Sequence, residues 1–466
     1  MSIQQVLLLV FLAFLCGRVK NHRIRNFLLI VSSFVIFYRF QTATPIFFLD
    51  FWLPTFAILM ALTVWAATQT SLKKALKDNL QTLVIALLVI SLISANRYLT
   101  LCCITATRPP HLWVVLSFIV IFFILLAVFV LAIPHGTRLG LLIIAFIAIF
   151  VVLKTPEFSL LLSKVLRWIN QQDPRFSSPN DLVWLGISYI LFRLLHLLFD
   201  SRAGRLPPAN LAETLCYIFF FPALVAGPIA RFPQFQAELK KSPQLEEVVE
   251  GMQRVFIGLF RKFVLADSLA LLSLSPQNAP LIQSSIYLWT ALLAYSLRIY
   301  FDFSGYTDIA IGSARLMGIR LPENFNAPYL KTNLIQFWSS WHITLADWFR
   351  SYVFNPLARK LRLNSAMPSW LTILIPQLST MLLIGLWHGI SPNFFLWGAW
   401  HGVGLFLNNR WTSLRKSAPS SRFQALQSFF GWGLTFAFVT LGWVWFLMPT
   451  FDGAIETFRK LLGFGL

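Results

Sequence analysis

Phe301-Asp-Phe-Ser-Gly-Tyr-Thr-Asp308, Phe337-Trp-Ser-Ser-Trp-His342-Ile-Thr-Leu345, Gly385-Leu-Trp-His388-Gly389 and Trp397-Gly-Ala-Trp-His401 all fall within 301–401. Three of the seven histidines of the chain lie in this stretch, with several charged groups, inside sequence otherwise apolar enough to sit in lipid. An ionisable side chain at membrane depth is costly, so it marks a functional site by default. The remainder of the chain reads as the vessel for these groups.

Working outward, the bulk composition sets the class. The chain has 466 residues, 57% hydrophobic and only 12% charged, with a mean hydropathy of +0.69. Soluble domains carry ~25% charged residues, so this is a polytopic membrane protein. Neither a Gly/Ser linker nor a low-complexity tail interrupts it, which predicts a single membrane domain over 1–466, with N-terminal helices at 1–153 and a core at 180–466. The 17 Trp and 46 Phe suit side chains at headgroup level and between helices. A net charge of +20 comes from Lys and Arg scattered between apolar runs. That pattern points to orientation in the bilayer and to membrane lipids as partners, not to nucleic acid. Cys16, Cys102, Cys103 and Cys216 have neither metal-site nor redox spacing and read as packing residues.

Apolar runs occur at 4–17, 26–40, 45–68, 80–95, 112–133, 139–153, 182–199, 211–227, 284–301, 370–388, 394–407 and 427–448. They predict about a dozen tilted spans in an all-α protein, although several fall below the ~20 residues that cross a bilayer core. The chain turns apolar almost at once, without a basic segment before it, which predicts a retained first helix and not a cleaved signal peptide. Basic knots at Arg18–Arg25 and Lys73–Lys77 place the first two such loops on the cytoplasmic side. A short interfacial helix is expected at 158–169. Between Met252 and Leu274, Arg254, Arg261, Lys262 and Asp267 interrupt the apolar run, a pattern that fits a helix lying at the interface as readily as one that spans.

The candidate chemistry rests on a few residues. His388 ends an apolar run, and Gly385 and Gly389, four apart, leave one helix face bare for a helix or a substrate. An imidazole kept from bulk water stays neutral, because burying its charged form is costly. A neutral imidazole takes a proton from a hydroxyl, the task of a general base. The alternative is a hydrogen-bonded structural histidine. His342 lies in the aromatic segment Gln336–Arg350, beyond the turn-like Asn324-Phe-Asn-Ala-Pro328, and reads as part of a re-entrant or interfacial piece. Its alternative is an interfacial histidine anchored by Trp338 and Trp341. His401 reads as a packing or supporting residue. Asp302 and Asp308 read as structural pairs, with Arg298 and Arg315 as partners and Gly305 as a helix break. Arg231, after Ala226-Gly-Pro-Ile229, reads as structural in the same way, with the phosphates of an acyl donor as the alternative contact for its cation. A metal site finds no ligand pattern, since His-Glu-x-x-His and clustered Cys or carboxylates are lacking. Neither a nucleophile-elbow serine motif nor a P-loop is present.

The ordered set resembles the membrane-bound O-acyltransferase family, in particular the bacterial branch of the alginate O-acetylation membrane protein and the D-alanyl transfer protein of teichoic acids. The pieces are Leu185-Gly-Ile-Ser188, Phe221-Pro-Ala-Leu-Val-Ala-Gly-Pro-Ile-Ala-Arg231-Phe232, Phe301 to Gly312, and Phe325-Asn326-Ala-Pro-Tyr329. They continue through Phe337 to Leu345, Gly385 to Gly389, and Leu441-Gly-Trp-Val-Trp-Phe446. The match runs from about 180 to the C-terminus. It implies tilted helices, with re-entrant and interfacial ones, around a central tunnel in a multi-pass protein of the bacterial inner membrane. His388 matches the family's catalytic histidine and His342 its second active-site histidine, with Trp341, Trp387, His401, Asp302, Asp308, Arg231 and Asn326 as substrate-binding or supporting groups.

The resemblance implies transfer of an acyl group, in the first place acetyl, from a thioester such as acetyl-CoA or an acyl carrier protein. The acceptor is a hydroxyl of a cell-surface polysaccharide or of a periplasmic acyl-transfer partner, and no cofactor is held tightly. Three departures bear on donor and partner: Ser339-Ser340 stands where two arginines are usual, Ser351 where Arg-Asp-Tyr is common, and Ala358-Arg-Lys-Leu361 where Gly-Gly-Asn-Arg is usual. The loss of the last element leans toward D-alanyl transfer. A transporter or lipid-flipping protein is the rival from another class, weakened by the absence of internal repeats and of a carboxylate chain.

Overall fold

A computed structural model of the protein describes residues 2–99, 104–363, 366–414 and 421–464; Cys102 and Cys103 lie outside them. The described chain is helical throughout. Its α-helices are α1 (Ile3–Arg18), α2 (His22–Phe40), α3 (Leu49–Thr68), α4 (Leu72–Ala95), α5 (Leu112–Ala132), α6 (His135–Lys154) and α7 (Pro156–Ile169). They continue as α8 (Ile187–Arg202), α9 (Leu211–Phe219), α10 (Phe232–Glu238), α11 (Leu245–Phe260), α12 (Asp267–Ala270) and α13 (Ser285–Arg315). The rest are α14 (Leu334–Trp338), α15 (Ile343–Phe349), α16 (Asn355–Arg362), α17 (Leu371–His388), α18 (Pro392–Leu414), α19 (Ser421–Leu447) and α20 (Phe451–Leu461). An isolated bridge between Phe325 and Trp341 is the sole β-type pairing among the described residues.

Six helical segments are long and apolar enough to cross a membrane: Leu49–Thr68, Leu72–Tyr98, Leu112–Ala132, His135–Lys154, Leu371–His388 and Ala425–Leu447. The expected dozen spans is therefore reduced to six among the described residues, judged by length and composition. Other apolar runs fold as shorter helices, such as α1 and α9, or carry polar groups inside a longer one, as α13 does. The chain packs as two compact units, 1–256 with 309–321, and 257–308 with 322–466.

In the first unit, α5 buries only Val115, Ile119 and Val130, while Trp113, Val120, Leu125, Val128 and Leu131 point outward. A helix apolar on every side and so little covered by protein needs lipid as its solvent. Buried Arg138, at the start of α6, donates to the carbonyls of Ala67 and Gln69 at the end of α3 and of Val130 in α5. One guanidinium thus satisfies the free carbonyls of two helix ends, where the helix dipole also favours a cation. Arg25 does similar work, donating to the carbonyls of Leu239, Lys241 and Met317.

Helix α7 matches the interfacial helix expected at 158–169, with its amphipathicity reversed. Its protein-facing side is polar: Ser163 and Arg167 donate to Asp181, and Ser159 to the Pro179 carbonyl. Its outer side is Phe158, Leu161, Val165, Trp168 and Ile169, all exposed. An outward apolar stripe beginning four residues after span α6 ends suits a helix lying in the bilayer surface.

In the second unit, the basic run after α11 winds as a π-helix over Arg261–Ala266 before α12. Helix α13 is unbroken, so Gly305 does not end a helix as the sequence suggested. A Cβ at Gly305 would stand 2.8 Å from the Gly258 carbonyl oxygen and from the Lys262 backbone nitrogen, so glycine lets two helices touch there. The same economy joins α17 to α18. A Cβ at Gly385 would lie 2.2 Å from the Phe394 carbonyl oxygen, and one at Gly398 2.5 Å from that of Met381. The bare face expected at Gly385 is thus filled by α18.

Candidate active site

Between α14 and α15 the chain breaks at Ser339–His342, inside the segment read from the sequence as re-entrant or interfacial. His342 caps α15 with φ 44°, a left-handed conformation that non-glycine residues seldom take. The loop before α14 holds it there. The Asn326 N–H donates to the Ser340 carbonyl, the Ile343 N–H to the Asn324 carbonyl, and Asn324 Oδ1 accepts from the Thr344 N–H and hydroxyl. The strained turn is therefore clamped on both sides by Asn324-Phe-Asn326.

This clamp buries the His342 ring, 4% exposed, with neither Nδ1 nor Nε2 hydrogen-bonded. Desolvation pushes the imidazole down to about 3, so it is uncharged at neutral pH. An interfacial histidine, the alternative reading of this residue, would reach water or headgroups, whereas the ring is buried. A buried polar atom left unpaired costs ~1–3 kcal/mol and calls for a reason. Phe303 lies edge-on to the ring at 4.7 Å and Trp387 at 6.2 Å, both between centroids.

Trp387 joins His342 to the next histidine. Its ring is 4.5 Å from that of His388, the last residue of α17. His388 also meets Trp397 at 5.5 Å and Phe446 at 4.7 Å, both edge-on, and Phe394 at 6.0 Å. It is only half-buried, unlike the shielded histidine expected from the sequence, because α17 ends there and the extended Gly389 follows. Trp397 continues the chain of rings to His401 at 4.9 Å, and Trp338 faces His401 at 5.2 Å. His401 is 1% exposed, and its two ring nitrogens, like the Nε1 atoms of Trp338 and Trp397, have no hydrogen-bond partner. Ser304 Oγ, Thr307 Oγ1 and Asn324 Nδ2 of the same unit are also buried and unpaired.

The three histidines of 301–401 are thus brought into one aromatic cluster with Trp387. Trp341 stands one layer back, 5% exposed, stacked on Phe337 at 5.7 Å and against Trp443 at 5.3 Å. The carboxylates are tied elsewhere. Asp308, 4% exposed, pairs with Arg261, and Asp302, on the outer surface, with Lys262. Arg315, named from the sequence as a partner of Asp308, pairs with Glu250 instead. Asn326 is exposed and serves through its backbone. Arg231 is exposed at the start of α10 in the first unit. Sequence reasoning missed Asn324 and Trp397, and gave Trp338 only as an anchor of an interfacial His342. Each lies inside a quoted motif, but the asparagine singled out was Asn326, two residues past the buried one. No three His, Cys, Asp or Glu side chains gather as metal ligands among the described residues.

The sequence model described as MBOAT, membrane-bound O-acyltransferase family, matches residues 157–448, more than half of the chain. A probable alginate O-acetylase of Pseudomonas putida is 33% identical over 297 residues, covering 62% of this chain and 57% of that relative. A teichoic acid D-alanyltransferase of Bacillus subtilis is 32% identical over 294 residues, covering 61% of this chain and 73% of the relative. A peptidoglycan O-acetyltransferase of Helicobacter pylori is 33% identical over 251 residues, covering 53% and 46%. The chain spans little more than half the length of the curated alginate relatives it matches. Six apolar helices, an aromatic cluster around His342 and His388 and a match over most of the described core agree on one assignment: the chain belongs to the membrane-bound O-acyltransferase family.

Proposed function

We propose that the protein is an O-acyltransferase of the bacterial inner membrane, crossing it several times, and that it moves an acyl group, in the first place acetyl, from a thioester to a hydroxyl. The observation that carries this reading is His342, sealed in aromatic rings with both nitrogens unpaired and joined through Trp387 to the more open His388. Half-exposure suits His388 to meet an incoming hydroxyl, and burial suits His342 to bind from the far side.

In the reaction, the neutral His388 imidazole takes the hydroxyl proton as the oxygen attacks the thioester carbonyl carbon. His342 supplies a hydrogen bond to the acceptor or to the developing oxyanion, in a setting where water does not weaken it. The tetrahedral centre collapses, the C–S bond breaks, and the departing sulfur takes the proton back from His388. The acceptor is a cell-surface polysaccharide or a periplasmic acyl-transfer partner. The donor is acetyl-CoA or an acyl carrier protein.

Labelled thioester supplied to proteoliposomes tests this, with transfer to the acceptor and release of free thiol as readouts. His388→Ala and His342→Ala are each expected to abolish transfer while the protein stays folded. Near-normal transfer by folded His388→Ala would overturn the assignment. D-alanyl transfer from a carrier protein is a second reading, favoured by the similarity to the Bacillus subtilis D-alanyltransferase and by Ala358-Arg-Lys-Leu361. Movement of an unmodified substrate across the vesicle, without covalent change, would point to a transporter.

A further inference from the structure

We propose that His196 is a proton-operated latch in the first unit. Neutral, its ring holds the start of α10 through the Phe232 N–H; protonated at Nε2, it turns to Asp200 and lets that segment go. His196 lies on the buried face of α8, 2% exposed, and its Nε2 accepts from the Phe232 N–H at 3.0 Å. A nitrogen that accepts carries no proton, so the ring is the neutral tautomer with its hydrogen on Nδ1. Asp200 Oδ2 stands 3.6 Å from the same Nε2, from one helical turn further on. One ring atom therefore faces a donor that needs its lone pair and a carboxylate that its lone pair repels.

A proton on Nε2 reverses both relations. The Phe232 N–H loses its acceptor, and the new ring N–H is drawn to Oδ2 by opposite charge. Asp200 is placed to receive it, since its Oδ1 takes the Arg205 guanidinium at 2.9 Å while Oδ2 faces the ring. Phe232 is fully buried, and a buried N–H without an acceptor is not kept where it was. The start of α10 has to move.

The surroundings set when this happens and how far it spreads. Burial lowers the ring from 6.5 to about 4, opposed by Asp200 and aided by Arg231 before α10 and Arg205 after α8. Helix α9 adds Tyr217, its ring 5.9 Å away and its hydroxyl donated to the Ala230 carbonyl. Helices α3 and α6 also pack on α8, and among the described residues they bring no charge to bear on the ring. Helix α8 is not one of the six candidate spans. Arg193, three residues earlier on α8, donates to the carbonyls of Ile218 and Ala223 and keeps its charge throughout. Acid thus frees 224–232, which carries the exposed Arg231, and leaves α9 in place.

Hydrogen–deuterium exchange of the full chain in phosphatidylcholine nanodiscs tests this from pH 7.5 to 3.5, corrected for the intrinsic pH dependence of amide exchange. Peptides covering 224–235 are expected to lose about tenfold in protection at the acid end, the worth of one net hydrogen bond, while 211–219 keep theirs. His196→Gln, whose amide oxygen accepts from Phe232 and does not titrate in this range, is expected to abolish the loss. Asp200→Asn, which removes the charge that draws the proton, is expected to keep 224–235 protected at pH 4, where the parent is opening. Unchanged protection in the parent down to pH 3.5 overturns the proposal, as does the same acid loss in His196→Gln or in Asp200→Asn. Exchange is read without substrate, so the result stands apart from the transfer reaction.

Discussion

Adding one methyl group at Gly385 tests whether the α17–α18 contact sets the chemistry. The new Cβ would stand 2.2 Å from the Phe394 carbonyl oxygen and close to Gly398 Cα at 3.3 Å. Its nearest neighbour is helix backbone, which has no rotamer to escape into. Ordinary contact begins at 3.4 Å, so the two helices must part by about 1 Å at the crossing. Overpacking of this kind costs ~1–3 kcal/mol, partly offset by the ~1 kcal/mol that alanine gains over glycine within a helix. The protein should therefore stay folded. Function should suffer more, because α17 carries His388 and α18 carries Trp397 and His401. A misplacement of ~1 Å at a reacting group costs ~100-fold in rate. Gly385→Ala is thus expected to lose about 100-fold in thioester-dependent transfer with little change in thermal unfolding in detergent. Gly433→Ala on α19, where a Cβ would meet nothing within 4 Å, serves as the neutral control. Wild-type transfer by folded Gly385→Ala would refute the claim that this close crossing positions the histidines.

The buried His342 makes stability fall in acid. Its folded value is lowered from 6.5 to about 3, so below pH 6.5 the unfolded chain takes up a proton that the folded one refuses. Its contribution is undiminished above 6.5 and declines by ~1.4 kcal/mol per pH unit as pH drops from there toward 3. Melting curves in detergent from pH 7 to 5 should fall more gently in His342→Phe than in the parent, the remaining slope coming from His401 and His196, which burial lowers in the same direction. Arg167→Met strands the buried Asp181 carboxylate, whose partner lies at 2.9 Å with both side chains under 8% exposed. That change is expected to cost ~3–5 kcal/mol, and the double variant with Asp181→Leu to recover most of it. Denaturant unfolding of the two variants reads the difference directly. His388→Ala and His342→Ala should each silence transfer in the proteoliposome assay without unfolding the chain.

Much of this protein was legible in order along the chain. Runs of apolar residues announce helices because each backbone must satisfy itself in lipid, whatever its neighbours. The surface helix α7, the break before His342 and the gathering of chemistry in 301–401 follow from such local rules. Other features depend on what comes opposite, which a single sequence does not display. Asp308 pairs with Arg261, 47 residues away in the chain, while Arg315, the partner that spacing offered, pairs with Glu250. Gly305 reads as a break, yet it lies within an unbroken helix because another backbone needs the room its missing Cβ leaves. Spacing treated His388 as the shielded imidazole. The folded chain shields His342 and His401 more fully and leaves His388 half open, since α17 ends there while α15 is clamped by Asn324. Local composition determined which segments are apolar enough for the membrane and where along the chain the histidines gather. Only packing decided which ring stays dry, because dryness is a property of neighbours brought from elsewhere in the chain.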